Sequence, residues 1–191
     1  MKRFTRAAAV AAAVLAAVAV SSVPAQAGNP GVLYNLASGW CADLPNYGAE
    51  YGTKVYEYWC DGSSNDNQQW SFDYDGNVYR GLSAFTIRNL KSGQCMDVPD
   101  YGVVDPGTQV GMYACSPGGG DNQEWVFQPS SDYSGYGVLM NVKTLMATTP
   151  TLCLDVANWG GERNGLPLTV YNCYGAGWAY GGTDDHLWTL S

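Results

Sequence analysis

From Val32 onward, apolar and polar positions alternate in short runs, each closed by glycine or small polar residues. Side chains on a strand point to opposite faces in turn, so a period of two reads as strands with one face buried. Val32-Leu33-Tyr34-Asn35-Leu36, Phe85-Thr86-Ile87-Arg88-Asn89-Leu90 and Val138-Leu139-Met140-Asn141-Val142 are three such runs, each with an Asn at the same place. Ser38-Gly39 and Ser92-Gly93 supply turns after the first two. Further strands are predicted over Thr53 to Trp59, Thr108 to Ala114 and Leu166 to Asn172, each running into a cysteine. A last strand in each set holds Trp70, Trp125 or Trp188. Asp75-Gly76 predicts a hairpin turn leading back toward the second set, and Met146 to Thr151 is an insertion found only in the third. No run has the apolar spacing of a helix, and the chain reads as all-β.

The sets are copies of one unit. Cys41 to Trp70, Cys95 to Trp125 and Cys153 to Trp188 each hold two cysteines, an Asp two residues past the first, an aromatic just before the second, and a closing Trp. After the first Cys, Asp-x-Pro-x-aromatic-Gly appears as Asp43 to Gly48 and Asp97 to Gly102, while Asp155 to Gly160 lacks the Pro. One unit of about four short strands cannot cover its own apolar face, so the copies must share a core. The three tryptophans would converge on it, and three units around a pseudo-threefold axis make a β-trefoil. The repeats span about residues 32–84, 85–136 and 137–191, and no linker rich in Pro or Ser divides them. They are expected to form one domain over residues 28–191.

Residues 1–27 are set apart from that domain. A basic start (Lys2, Arg3, Arg6), an Ala/Val run from Ala7 to Val20 and the small residues of Ala25-Gln26-Ala27 have the order of a secretory signal peptide. The apolar run is short for a permanent bilayer anchor, so membrane insertion is not expected. Beyond the leader, six Lys and Arg face all 17 acidic residues, a net charge of −11. Such a surface repels phosphate backbones, which argues against nucleic acid as a partner. All six cysteines follow the leader, and an oxidising space favours disulfides. The repeat selects Cys41–Cys60, Cys95–Cys115 and Cys153–Cys173. Each bridge should stabilise by roughly 3 kcal/mol on the chain-entropy account. With no Cys-x-x-Cys and a single histidine, His186, neither a metal nor another cofactor is expected.

Gln68-Gln69-Trp70 and Gln123-Glu124-Trp125, each following a Cys-x-Asp and an intra-repeat cysteine pair, resemble the ricin B-type lectin domain. Bacterial carbohydrate-binding modules attached to xylanases share the pattern. The third copy has His186-Leu187-Trp188 in its place. The resemblance implies a β-trefoil lectin for galactose- or xylose-type glycans. Its sugar-binding positions fall on Asp97, Tyr113, Asn122 and Gln123 in the second repeat and on Asp43, Tyr58, Asn67 and Gln68 in the first. In the third they fall on Asp155, Tyr171, Asp185 and His186.

The residue types suit that chemistry. A neutral sugar offers a face of C–H groups and a fan of hydroxyls, which call for an aromatic plate, a carboxylate acceptor and an amide that both donates and accepts. Gln123 is better placed to brace the Asp from beneath than to touch a ligand. Plainer roles stand beside these: an Asx-turn for each Asp, a strand aromatic for each Tyr, and core packing for each Trp. The second repeat keeps the full set and ranks first, then the first, then the third. Asp185 in place of Asn puts two carboxylates in the third pocket, which is expected to have decayed, with His186 pairing one of them. Tyr47, Tyr101 and Trp159 recur in the loop after each Asp, and Trp178 and Tyr180 sit in the Gly-rich stretch Gly175 to Gly182. Asp73 to Asn77 superficially suggests calcium but reads better as a turn. The Asp residues recur once per repeat, and Glu50, Glu57 and Glu162 lack a partner by spacing, so no catalytic pair is expected. The expected protein is a secreted, monomeric, non-catalytic glycan binder. Its rival is a protein-binding trefoil such as a protease inhibitor or a toxin's targeting subunit.

Overall fold

The computed structural model describes residues 29–48, 50–61, 63, 67–101, 104–116, 118, 122–147, 150–161, 164–173 and 185–191. The leader and the Trp178/Tyr180 stretch lie outside them, as do the side chains of Tyr47 and Tyr101. The first repeat supplies β1 (Gly31–Asn35), β2 (Cys41–Asp43), β3 (Tyr56–Tyr58) and β4 (Gln69–Tyr79). The second supplies β5 (Leu82–Asn89), β6 (Cys95–Asp97), β7 (Thr108–Gln109), β8 (Gly111–Tyr113) and β9 (Glu124–Pro129). The third supplies β10 (Gly137–Asn141), α1 (Val142–Met146), β11 (Leu152–Val156), β12 (Leu168–Asn172) and β13 (Leu187–Leu190).

The outer strands of the repeats close a ring: β1 pairs β4, β4 pairs β5, β5 pairs β9, β9 pairs β10, β10 pairs β13, and β13 returns to β1. Closure leaves this barrel no free edge. The inner strands form three hairpins, β2–β3, β6–β8 and β11–β12. Six barrel strands with one hairpin per repeat are a β-trefoil. At the starts of β1 and β10 the ring closes so tightly that a Cβ on Gly31 or Gly137 would lie 2.4 Å from the Ser191 or Gln128 carbonyl oxygen.

Trp70, Trp125 and Trp188 are wholly buried in one cluster with Leu33, Ile87, Leu139 and Leu154. Each indole N–H donates to a backbone carbonyl of its own repeat's inner hairpin: Ala42 at 3.0 Å, Met96 at 3.4 Å and Leu154 at 3.0 Å. The tryptophans therefore both fill the core and pin each hairpin onto the barrel. The three predicted disulfides are present, joining Cys41 to Cys60, Cys95 to Cys115 and Cys153 to Cys173 across Cα separations of 5.1, 4.9 and 5.2 Å.

Two local expectations change. Asp75-Gly76 is not the hairpin turn: β4 runs on to Tyr79, with a register shift between Tyr74 and Val78, and the turn is Arg80-Gly81 at φ 49° and 83°. Asp75 instead closes an Asx-turn, its carboxylate accepting the Asn77 amide N–H at 2.9 Å. The strand expected to end at Val142 ends at Asn141, whose side chain caps the short helix α1 by accepting the Thr144 amide N–H.

Candidate functional site

The inner hairpins bring each predicted set together. In all three, the first Cys lies opposite the Tyr: Cys41 opposite Tyr58, Cys95 opposite Tyr113, Cys153 opposite Tyr171. Cross-strand neighbours share a face, and the Asp two residues on shares it too, so Asp and Tyr sit diagonally on one surface. The tyrosines are exposed to the same degree, 45%, 44% and 45%, as the threefold repeat requires. The loop after the Asp turns back sharply at Asn46, Asp100 and Asn158, with φ of 55°, 74° and 61°. Asn and Asp tolerate this left-handed backbone, which explains their recurrence between the Pro (or Ala157) and the aromatic. Trp159 also lies at φ 64° and is 88% exposed beside the third pocket.

In the first repeat, Asp43, Tyr58, Asn67 and Gln68 line a cavity of about 600 Å³ together with Tyr56 and Trp59. The Asn67 amide donates to Asp43 Oδ1 at 3.1 Å and to the Leu44 carbonyl, and Gln68 Nε2 donates to Asp43 Oδ2 at 2.8 Å. Gln68 is buried and also bonds the Trp59 carbonyl and the Asp61 amide, each at 2.9 Å. It holds the carboxylate from below while closing the loop past Cys60. In the second repeat, Asp97, Tyr113, Asn122 and Gln123 line a cavity of about 400 Å³. Gln123 makes the same clip to the Ala114 carbonyl and the Ser116 amide, each at 2.9 Å.

The third set, Asp155, Tyr171, Asp185 and His186, lines the smallest cavity, about 240 Å³. Asp155, Asp185 and His186 are all buried. The imidazole stands between the carboxylates, Nε2 3.5 Å from Asp155 and Nδ1 3.3 Å from Asp185, so it faces both acids rather than one. The Thr169 hydroxyl donates to Asp155 at 2.7 Å. Burial first, and the Asp185 charge second, push Asp155 up to about 7, against the lowering pull of Thr169 and His186. Ligand atoms of the three lie within 4.8 Å of one another, so among the described residues this is the group able to hold a cation.

Sequence reasoning missed two contributors. Asn35, Asn89 and Asn141 are buried barrel residues whose amides donate to the backbone carbonyls of Asp185, Asn67 and Asn122 at 2.7, 2.6 and 2.8 Å. Each repeat's amide position is thus held by the repeat that follows it around the axis. Their constant place in the first strand was the visible signal. The other is Glu57, buried on β3 at the first pocket. Burial chiefly raises it to about 7, the Asp185 charge adding to this and the Ser38 side chain opposing it.

These two acids set a pH dependence. Glu57 and Asp155 hold their protons more tightly folded than unfolded, so their contribution to stability is full below the unfolded carboxylate range. It declines as pH rises and is gone above about 7. The melting temperature is expected to fall from pH 5 to pH 8, and Glu57→Gln should flatten part of that fall. An identical slope in the variant would remove Glu57 from the account.

No helix among the described residues is long and apolar enough to cross a membrane. No curated protein sequence matches the chain. Among solved structures, the designed threefold-symmetric protein ThreeFoil superposes with a TM-score of 0.63 at 24% identity, over 84% of this chain and 96% of that one. The Rhizoctonia solani agglutinin does so at 0.60 and 21% identity, over 90% and 98%. The Macrolepiota procera ricin B-like lectin, solved in complex with lactose, does so at 0.61 and 19%, over 88% and 99%. At these identities the likeness is one of fold. Residues 29–173 match the ricin-type beta-trefoil lectin domain, and the chain belongs to that family.

Proposed function

We propose that this chain is a secreted, monomeric, non-catalytic lectin that binds galactose- or xylose-type glycans through up to three repeat pockets. The observation that carries the reading is the repeated constellation: a carboxylate, an exposed Tyr and a buried side-chain amide lining one cavity in each of the first two repeats. Asp43 supports it most directly, since two amides fix its oxygens in place at the cavity it lines. The family's character and the lactose complex of the Macrolepiota procera lectin support a sugar ligand of galactose type. The Ala/Val leader supports secretion. A non-catalytic role is supported by Asp43, Asp97 and Asp155 standing in separate pockets, and by the second acid of the third pocket, Asp185, being buried against His186 rather than set across an open substrate bond. Each open pocket should bind weakly alone, with retention on a polysaccharide arising from several sites engaged together.

The test is retention of the oxidised protein, residues 28–191, on insoluble xylan and on galactose-bearing resin, with and without free sugar. Retention reversed by sugar is expected. No retention on either matrix, with all three disulfides intact, would point to a protein partner instead.

A further inference from the structure

Each cavity is completed by one loop from the preceding repeat, and the three loops bring different side chains. Gly165 reaches the first pocket from the third repeat, and Gly107 reaches the third pocket from the second. The second pocket receives Gly52 and Lys54 from the first repeat, and with them Tyr51. That loop is fastened to β8: the Gly52 amide donates to the Met112 carbonyl at 2.7 Å, and the Met112 amide donates to the Thr53 carbonyl at 2.9 Å. It rests directly on Gly111, where a Cβ would meet the Thr53 carbonyl at 3.4 Å and the Lys54 side chain at 3.6 Å. Gly111 lies opposite Asp97; the residues opposite Asp43 and Asp155 are Tyr56 and Thr169. The other two loops are fastened in the same way, the Gly165 amide donating to the Glu57 carbonyl at 2.9 Å and the Gly107 amide to the Val170 carbonyl at 2.8 Å, so what sets the second pocket apart is the side chains its loop carries.

The result is a second aromatic plate. The Tyr51 ring lies 5.0 Å from that of Tyr113, tilted by 31°, and 65% of Tyr51 remains exposed. Two tilted rings form a corner longer than one sugar ring, and the Lys54 ammonium, bonded to the Gln109 carbonyl at 3.3 Å, keeps donors for hydroxyls at that end. Resting on the lectin reading above, we propose that the second pocket is built from two repeats and takes a glycan of at least two sugar residues. The first lies on Tyr113 beside Asp97 and Asn122. The second lies on Tyr51 within reach of Lys54. At the other two pockets the crossing loop contributes Gly165 or Gly107 among the described lining residues, and the further aromatics there, Trp59 and Trp159, come from the pocket's own repeat.

Amide chemical shifts of the isotope-labelled full domain separate the three pockets: Met112 and Tyr113 report the second, Tyr58 the first, Tyr171 the third. Titrations would use xylose, xylobiose and xylotriose, and galactose and β-1,3-galactobiose. At Tyr113 the disaccharide of the preferred series is expected to bind about tenfold more tightly than its monosaccharide, the gain from one added ring contact. Tyr58 and Tyr171 should show no such gain. Tyr51→Ala should abolish the tenfold advantage and leave monosaccharide binding unchanged, and Lys54→Met should remove about threefold of it. Equal binding of one- and two-residue sugars at Tyr113 would overturn the proposal while leaving the lectin reading intact. So would a Tyr51→Ala variant that weakens both alike, which makes Tyr51 a mere prop for Tyr113, or one that tightens monosaccharide binding, which makes it a screen. Absence of shifts at all three reporters would overturn the lectin reading together with the proposal.

Discussion

Asp97→Ala is expected to weaken glycan binding at the second pocket roughly hundredfold. A carboxylate that accepts two sugar hydroxyls makes charge-assisted hydrogen bonds, and losing such a pair costs about 3 kcal/mol. Asp97 lies on the same face as Tyr113, at the rim of the cavity that Asn122 also lines, so no other residue of the set replaces it. Asp155→Ala is expected to change binding hardly at all. That carboxylate is buried, takes the Thr169 hydroxyl, faces His186 and carries a raised pKa, so it is engaged within the protein. Calorimetric titration of the two variants with the preferred oligosaccharide makes the comparison, and Asp97→Asn keeps the shape where the alanine perturbs folding. Equal losses at Asp97 and Asp155 would contradict the ranking of the pockets.

The largest loss of stability is expected from Trp70→Ala, about 3–5 kcal/mol. The indole is wholly buried among side chains of all three repeats, and its N–H satisfies the Ala42 carbonyl beneath the first hairpin. Removing it opens a cavity in the shared core and takes the indole donor from that carbonyl. Trp159→Ala, at an exposed position, should stay within about 0.5 kcal/mol of the parent. Denaturant titrations of the oxidised proteins measure both. Comparable losses would mean that Trp159 packs in solution in a way its exposure does not suggest. The same contrast shows why the three tryptophans of the closing strands have a structural duty, while Trp159, after the third hairpin Asp, is exposed to solvent.

The second pocket's dependence on Tyr51 and Lys54 bears on how such a repeat protein diversifies. Repetition copies the Asp, Tyr and amide of each unit, and also the glycine by which the crossing loop is fastened, but leaves the side chains flanking that glycine free to differ. The loop carries Tyr51-Gly52-Thr53-Lys54 at one junction and, among the described residues, only glycine at the cavity edge of the other two. In the third repeat, Asp185 and His186 replace an amide pair, and a clip like Gln68's becomes an imidazole between two acids. The neighbouring Glu57 answers to the same Asp185 charge from the first repeat, so this junction gathers the acids that hold protons near neutral pH.

The sequence by itself determined the threefold unit, the barrel strands, the tryptophan core and the cysteine pairing. It did so because strand alternation and cysteine spacing are local properties, repeated three times in register. The Asp, Tyr and amide of each pocket were named by the family resemblance, and the cross-strand register of the hairpins is what sets Asp and Tyr on one face. The tertiary structure alone decided what lies between repeats. The duty of Asn35, Asn89 and Asn141 is to a carbonyl of the preceding repeat around the axis, for Asn35 as far as 150 positions along the chain, which no local period encodes. The burial of Glu57 depends on how the first and third repeats meet, its amide bonding the Leu166 carbonyl. The turn at Arg80-Gly81 won over Asp75-Gly76 because the β4–β5 ladder extends beyond the bulge, adding paired residues that a turn at the Asp-Gly would forfeit. The meeting of Tyr51 with Tyr113 follows from the first repeat's loop being fastened across β8 of the second, a fact of packing between units.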